Sequence, residues 1–183
     1  MPLSLLHDIS SGDDVPNKIT VVVEISKGSK NKYELDKTTG LIHLDRVMHT
    51  GQDYPFDYGF IPRTHWYDGD PLDVVLLTTY PLIPGVLLTA RPVAVFDMVD
   101  GHDSDAKILA VPTEDPRFNN IKDLSDVNPH TVEEIIHFFE TYKQIQKKNV
   151  TIDGVRGLAE AKTVIEEAIA MYKDLPKYVE VKK

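Results

Sequence analysis

The chain has 183 residues, a mass of 20.6 kDa and a formal net charge of −9. Its length predicts a single domain spanning residues 1–183, and the acidic balance, which lacks any basic block, argues against nucleic acid as the main partner. The absence of cysteine excludes disulfides, thiolate metal sites and cysteine nucleophiles.

Neither a signal peptide nor a membrane-spanning segment is expected. Acidic residues arrive by Asp8, which does not suit the apolar core of a signal peptide. The longest apolar region, 74–90, is interrupted by two prolines and Gly85, so it predicts two strands and a turn. We therefore expect a cytoplasmic protein with no membrane partner.

The first two thirds of the chain predict a β-rich body. Runs of β-branched and alternating apolar residues are bounded by turn residues, and the pair of short runs on either side of 37–40 is typical of a hairpin. The predicted strands cover residues 19–25, 32–35, 41–48, 72–79, 86–96 and 106–111.

The pattern changes to helical after Pro116. Asn128-Pro129 followed by 131–134 indicates a capping-box start, and apolar residues then recur at helical spacing. A second helix is predicted over 158–172. Short strands followed by flanking helices favour a mainly β fold, a small barrel with helices packed outside.

Three carboxylates lie within six residues in the motif Asp68-Gly69-Asp70-Pro71-Leu72-Asp73. Carboxylates this close repel one another unless a cation or water neutralises them, and oxygen ligands suit hard cations such as Mg²⁺. An exposed acidic turn is the plainer alternative. An EF-hand loop fits poorly because Leu72 and Thr79 occupy two of its ligand positions.

A second acidic cluster precedes the apolar run 108–111, and basic residues lie among the acids. The alternative for this cluster is a solvated hairpin tip around Gly101. Together, two acidic clusters mixed with cations predict a polynuclear metal site for a polyanion, in which acids hold metals and cations hold phosphoryl oxygens. The acids of the second cluster are Asp97, Asp100, Asp103 and Asp105, and the basic residues among the acids are Lys32, Arg46, Lys107 and Lys143.

The chain resembles the family I soluble inorganic pyrophosphatases, in their short bacterial and archaeal form. The resemblance covers roughly 19–173, and the acidic motif 68–74 matches the family signature. The other matching motifs, in order, are Val23-Glu24-Ile25, Lys32-Tyr33-Glu34-Leu35-Asp36, Asp45-Arg46, Tyr54-Pro55 with Tyr58-Gly59, Arg91-Pro92-Val93, Asp105-Ala106-Lys107 with Ala110-Val111-Pro112, and His137-Phe138-Phe139-Glu140-Thr141-Tyr142-Lys143.

This resemblance implies a fold, a reaction and an assembly. The fold is a closed, OB-like five-stranded β-barrel with two C-terminal α-helices. The reaction is hydrolysis of pyrophosphate to two orthophosphates by a Mg²⁺-activated water or hydroxide nucleophile, which would pull biosynthetic reactions forward. Several Mg²⁺ ions are implied per active site, with Mn²⁺ or Zn²⁺ as substitutes, and the assembly is a homohexamer built as a dimer of trimers.

The same resemblance implies roles for individual residues. Asp70 would be the general base, Asp73 would be shared between two metals, and Glu24 would orient metal-bound water. The implied metal ligands are Asp68, Asp73, Asp100, Asp105 and Glu34. The implied substrate-binding residues are Lys32, Arg46, Tyr58, Lys107, Tyr142 and Lys143.

Two residues depart from the family pattern. Asp57 replaces a common Asn, which would add negative charge near the site and alter metal affinity, and Val155 replaces a common Trp, which bears on packing around the second helix.

His137, Phe138 and Phe139 are consecutive on the first helix, so its apolar surface is wider than one core-facing stripe needs. We expect either barrel packing or a subunit contact there.

Two other functions are weighed against this one. A non-catalytic barrel module that binds nucleotide or other phosphorylated ligands would expose aromatic residues between basic ones, whereas these site motifs are rich in acids. A metal-dependent phosphohydrolase acting on nucleotides is the other, but the sequence has no Walker-type phosphate loop and no evident His-Asp metal pairing.

Overall fold

Short strands make up most of the fold, followed by a helix, a strand and a longer helix. This computed structural model describes residues 4–175. The strands are β1 (Ile19–Ile25), β2 (Asn31–Leu35), β3 (Ile42–Val47), β4 (Asp57–Phe60), β5 (Asp73–Leu76), β6 (Leu87–Asp100), β7 (Asp103–Ser104), β8 (Lys107–Pro112) and β9 (Val150–Arg156). The α-helices are α1 (Pro129–Thr141) and α2 (Leu158–Asp174), and short 3₁₀ helices cover Pro116–Phe118, Leu124–Asp126 and Gln144–Gln146.

Five strands close into a barrel. β1 pairs with β4, β4 with β5, β5 with β8, β8 with β6, and β6 returns to β1. The β5–β8 pair is parallel and the other four are antiparallel. The predicted OB-like five-stranded barrel with two C-terminal helices is therefore confirmed.

β2 and β3 form a two-stranded sheet of their own beside the barrel. Their turn is held by Asp36, whose N–H donates to the Leu41 carbonyl at 2.9 Å and whose carbonyl accepts from the Gly40 N–H at 2.7 Å. Gly40 has a φ of +74°, a conformation that glycine adopts without steric cost. The hairpin predicted around 37–40 is thus present.

Three strands were not predicted: β4, β7 and β9. β4 is only four residues long and contains a glycine, which sequence patterns disfavour in strands. Here the glycine is required, because a Cβ at Gly59 would lie 1.9 Å from the Val22 carbonyl oxygen on β1. β9 also contains a glycine, and it pairs with the second half of β6, outside the barrel ring. Within β9, Val155 lies opposite Phe96 and packs on the core.

The two α-helices begin in different ways. Asn128 caps α1 by accepting from the His130 N–H at 2.9 Å, and Pro129 takes the first helical position, which suits its missing N–H. The helix therefore begins where Asn128-Pro129 predicted it, but the cap that forms is the Asn128 side chain on His130 and not a capping box. α2 is capped from elsewhere in the chain: Asp123 accepts from the Leu158 N–H at 2.8 Å.

α1 packs its aromatic residues into the barrel. Phe138 and Phe139 are buried, and their rings contact Phe56 with centroids 5.4 Å apart. His137 is exposed on the other side of the helix. The wide apolar surface of α1 is therefore covered by its own chain.

Within residues 4–175, neither helix is both long and apolar enough to span a membrane.

Asp57 is fully buried at the start of β4 and fixes two loops. Its Oδ1 accepts from the Lys27 N–H at 2.8 Å and from the Leu82 N–H at 2.9 Å, while the Thr78 hydroxyl donates to Oδ2. Buried polar groups without such partners are costly. The extra carboxylate noted in the sequence thus serves loop structure.

Replacing Asp57 tests this interpretation. Asp57→Ala leaves the two N–H groups without their acceptor, so we expect a loss of about 2–4 kcal/mol in unfolding free energy. Asp57→Asn keeps an oxygen acceptor and can donate to Thr78, so its loss should stay below about 1 kcal/mol. Urea unfolding measures both, with exposed Asp53→Ala as the control. Equal losses for the Ala and Asn variants would contradict the assignment.

Candidate active site

A cavity of about 250 Å³ opens between the barrel, the β2–β3 hairpin and the end of α1. The sequence-predicted residues that line it are Glu24, Lys32, Glu34, Tyr58, Asp68, Asp70, Asp73, Asp100, Asp103, Asp105, Lys107, Tyr142 and Lys143. Residues separated by more than a hundred positions in sequence therefore meet in one space, as the resemblance implies.

Three of the acids converge on one point. Asp68 lies in the loop before β5, Asp73 is the first residue of β5, and Asp105 comes just before β8. Because β5 and β8 run parallel, with Asp73 opposite Lys107, their starting ends lie side by side. Each acid offers one carboxylate oxygen, and the three oxygens lie within 4.8 Å of one another. A hard divalent cation fits this donor set.

The acid cluster resists full ionisation. Burial, opposed by the hydrogen bond from the Asp70 N–H and reinforced by the neighbouring carboxylates Asp105 and Asp73, raises the pKa of Asp68 to about 7. A divalent cation would compete with the proton for this carboxylate, because both neutralise the same charge.

Lys107 is buried between two of these acids. Its Nζ donates to Asp73 Oδ2 at 2.5 Å and also to Asp105 Oδ1, and its side chain is only 3% exposed. Burial alone would lower the pKa of Lys107, but the two carboxylates raise it well above its ordinary value. The lysine is therefore permanently charged. Its Nζ also lies 5.8 Å from the ring centre of Tyr58.

Other cations face the cavity from different elements. Lys143, just after α1, donates to Asp100 on β6, and its Nζ lies 5.1 Å from the Tyr142 ring centre. Lys32 on β2 donates to Glu34 on the same strand. The cavity is thus lined by ammonium groups as well as by the acid cluster, an arrangement that suits a ligand carrying several negative charges.

Of the sequence-predicted residues, Asp97 pairs with Arg156 and does not line the cavity, and neither does Arg46. It lies on β3 directly opposite Lys32 on β2, and cross-strand partners point to the same face. Its Nη1 donates to Asp45 Oδ2 at 2.6 Å, and Lys32 Nζ lies 3.6 Å from the same oxygen. Arg46 is thus a neighbour of the cavity through Asp45.

Glu24 is buried at the bottom of the site. Its Oε1 accepts from the Leu35 N–H at 2.8 Å, which links β1 to the hairpin. Burial, together with the nearby charge of Asp73, raises the pKa of Glu24 to about 8. At neutral pH this side chain is therefore mostly protonated in the absence of added cations.

Sequence reasoning missed several lining residues. Leu6, Lys37 and Tyr54 line the cavity, yet none stands in an acidic or basic cluster. Lys37 follows directly on the motif 32–36, but a lysine in a predicted turn is usually solvated. Tyr54 stands in a recognised motif, which was the only available signal.

Comparisons with known proteins agree with this geometry. The family model described as inorganic pyrophosphatase matches residues 21–173. The chain belongs to the inorganic pyrophosphatase family. It is 47% identical over 164 residues to an inorganic pyrophosphatase of Sulfolobus acidocaldarius, with 88% of this chain and 95% of the relative covered. It is also 44% identical over 168 residues to soluble inorganic pyrophosphatase 2 of Chlamydomonas reinhardtii, covering 92% and 88% of the two chains.

Solved structures of the family share the fold. The crystal structure of inorganic pyrophosphatase from Thermus thermophilus superposes with a TM-score of 0.87 at 45% identity, covering 90% of this chain and 97% of that one. Together with the bacterial and archaeal relatives, this places the chain among the family I soluble pyrophosphatases, as the motifs indicated.

The raised pKa of Glu24 predicts how stability varies with pH. Between its ordinary value of 4.5 and about 8, the folded chain keeps a proton that the unfolded chain has released. Folding stability in EDTA should therefore fall as pH rises from 5 to 8, by up to about 1.4 kcal/mol per pH unit from this group.

Glu24→Gln isolates this contribution. The amide oxygen can still accept from Leu35 but cannot ionise, so the decline between pH 5 and 8 should become shallower. Urea unfolding in EDTA at pH 5, 6.5 and 8 gives the slopes, and exposed Glu166→Gln on α2 is the matched control. If the unfolding free energy of both variants falls with pH as steeply as that of the wild type, Glu24 does not titrate in this range.

Proposed function

We propose that this protein is an inorganic diphosphatase that hydrolyses pyrophosphate to two orthophosphates, with pyrophosphate as its substrate. The observation that carries the proposal is that the acid cluster of Asp68, Asp73 and Asp105 lines one cavity together with several ammonium groups. Carboxylates and ammonium groups in one space suit a polyanion that is bound together with its metal ions.

The metal in this proposal is Mg²⁺, with several ions per active site and Mn²⁺ or Zn²⁺ as substitutes. Asp68, Asp73 and Asp105 would hold one ion, with Asp73 shared, and Asp100 and Glu34 would contribute to others. Bound there, Mg²⁺ would supply charge neutralisation and lower the pKa of a bound water.

The protein's own groups would do the rest. Asp70 would accept a proton from the attacking water as its oxygen bonds to one phosphorus. The bridging oxygen would leave with the other phosphoryl group. Lys32, Lys143 and Arg46 would hold the phosphoryl oxygens, with Tyr58, Lys107 and Tyr142 in support and Glu24 orienting water. Phosphoryl transfer depends mainly on such positioning and charge stabilisation.

Phosphate release tests the function. We expect orthophosphate from pyrophosphate with Mg²⁺, none after EDTA, and recovery when Mg²⁺ is restored. ATP under the same conditions separates this activity from a nucleotide phosphohydrolase, and tight pyrophosphate binding without release would support a non-catalytic module. That module is not favoured, because the cavity is rich in acids and the relatives are named pyrophosphatases.

Asp70→Asn tests the general base. The amide cannot accept the proton in the transition state, so kcat should fall by roughly two to four orders of magnitude. The KM for pyrophosphate should change much less, because substrate binding does not need that proton transfer. Steady-state phosphate release at saturating Mg²⁺ measures both. A near-wild-type kcat would remove Asp70 from this role.

Metal ligands and phosphate ligands should give different signatures. Asp73→Asn should raise the Mg²⁺ concentration for half-maximal activity by about tenfold or more, because it removes a charged ligand. Arg46→Ala should instead raise the KM for pyrophosphate, by about tenfold, with the Mg²⁺ requirement nearly unchanged. Activity is titrated with Mg²⁺ at a fixed pyrophosphate concentration, and then with pyrophosphate at a fixed Mg²⁺ concentration. Indistinguishable titrations would contradict the assigned roles.

We further propose a cytoplasmic enzyme whose residues 1–183 form one domain and assemble as a homohexamer, a dimer of trimers. Large apolar side chains remain exposed at Tyr80, Ile83 and Leu87, and exposed apolar surface is typical of protein contacts. Light scattering at micromolar concentration and neutral pH should give about six times the chain mass of 20.6 kDa. A particle of monomer mass would end the hexamer proposal.

A further inference from the structure

Lys37 connects the β2–β3 hairpin to the acidic loop across the cavity. Its Nζ donates to Asp70 Oδ1 at 2.5 Å and to the Gly69 carbonyl oxygen at 3.1 Å. The hairpin also carries Lys32 and Glu34, and the loop also carries Asp68. One side chain thus joins the hairpin wall of the cavity to the acidic loop.

The turn that presents Lys37 is well ordered by its own hydrogen bonds. Asp36 Oδ1 accepts from the Thr38 N–H at 2.8 Å, and the Asp36 main chain is bonded on both sides to Gly40 and Leu41. The backbone next to Lys37 is therefore fixed, so the direction in which its side chain leaves the hairpin is also fixed.

Asp70 is held firmly by its main chain but not by its side chain. Its N–H donates to Asp68 Oδ1 at 3.0 Å, and its carbonyl accepts from the Trp66 N–H at 2.8 Å. The carboxylate itself is 61% exposed, and within residues 4–175 the hydrogen-bond partner of its oxygens is Lys37. The orientation of this carboxylate therefore depends on Lys37.

We propose that Lys37 is a positioning residue, which holds the Asp70 carboxylate in the direction needed to accept the proton of the attacking water. The inference rests on the proposed function, in which Asp70 is the general base. An exposed ion pair contributes little to folding, so the contact matters for geometry. Misplacing a reacting group by even 1 Å can slow a reaction by large factors.

Four variants test the role in steady-state phosphate release from pyrophosphate with Mg²⁺: Lys37→Met, Lys37→Arg, Lys30→Met and the double variant Lys37→Met/Asp70→Asn. Lys37→Met should lower kcat about tenfold while KM and the thermal midpoint stay close to wild type. Lys37→Arg should restore most of the loss, because its guanidinium can reach both acceptors. Lys30→Met is the matched control, since this exposed lysine donates to a backbone carbonyl away from Asp70.

The double variant distinguishes positioning from a general effect. If Lys37 acts through Asp70, removing it from Asp70→Asn should change kcat by less than about twofold, because coupled residues are not additive. An equal tenfold loss in both backgrounds, or a Lys37→Met variant indistinguishable from Lys30→Met, overturns the role of Lys37 while leaving the proposed function intact. A wild-type protein that releases no phosphate overturns the proposed function, and the role of Lys37 with it.

Discussion

The site depends on one buried charge arrangement, in which the ammonium of Lys107 lies between the carboxylates of Asp73 and Asp105. Two buried carboxylates at this separation would repel each other strongly without it. The arrangement follows from topology, because β5 and β8 are the parallel pair of the barrel and their starting ends bring the three residues together. Neutralised in this way, the acids can stay close enough for a third, Asp68, to join them.

The residues of the cavity come from parts of the fold that differ in how they are joined to the barrel. Asp73 and Asp105 lie at the starting ends of barrel strands, whose hydrogen bonds close on themselves around the ring. Lys32 and Glu34 instead lie on a hairpin that forms a separate sheet. Asp73 and Asp105 are thus built into the barrel, whereas Lys32 and Glu34 belong to an element that is attached to it mainly through side chains.

Much of this could be predicted from sequence. The acid-rich motif 68–73 stands out because folding alone gives no reason for three adjacent carboxylates, and the matching motifs named most of the residues that line the cavity. β4 was missed because its glycine, needed for the close approach to Val22, lowers strand propensity. Lys37 was missed because only the folded turn brings it to Asp70. The wide apolar stripe of α1 was visible, but sequence could not tell that Phe138 and Phe139 fill the barrel wall.

The separate β2–β3 sheet has a consequence for motion. In the described part of the chain, no strand-to-strand ladder joins this hairpin to the barrel. A rigid-body displacement of the hairpin would therefore break no sheet hydrogen bonds. Its free energy would be set by polar contacts such as Lys37 to Asp70 and by the packing of Tyr33 and Leu35 on the core. Such a displacement would widen or narrow the cavity while both walls keep their internal geometry, as the hinge elements of other enzymes do.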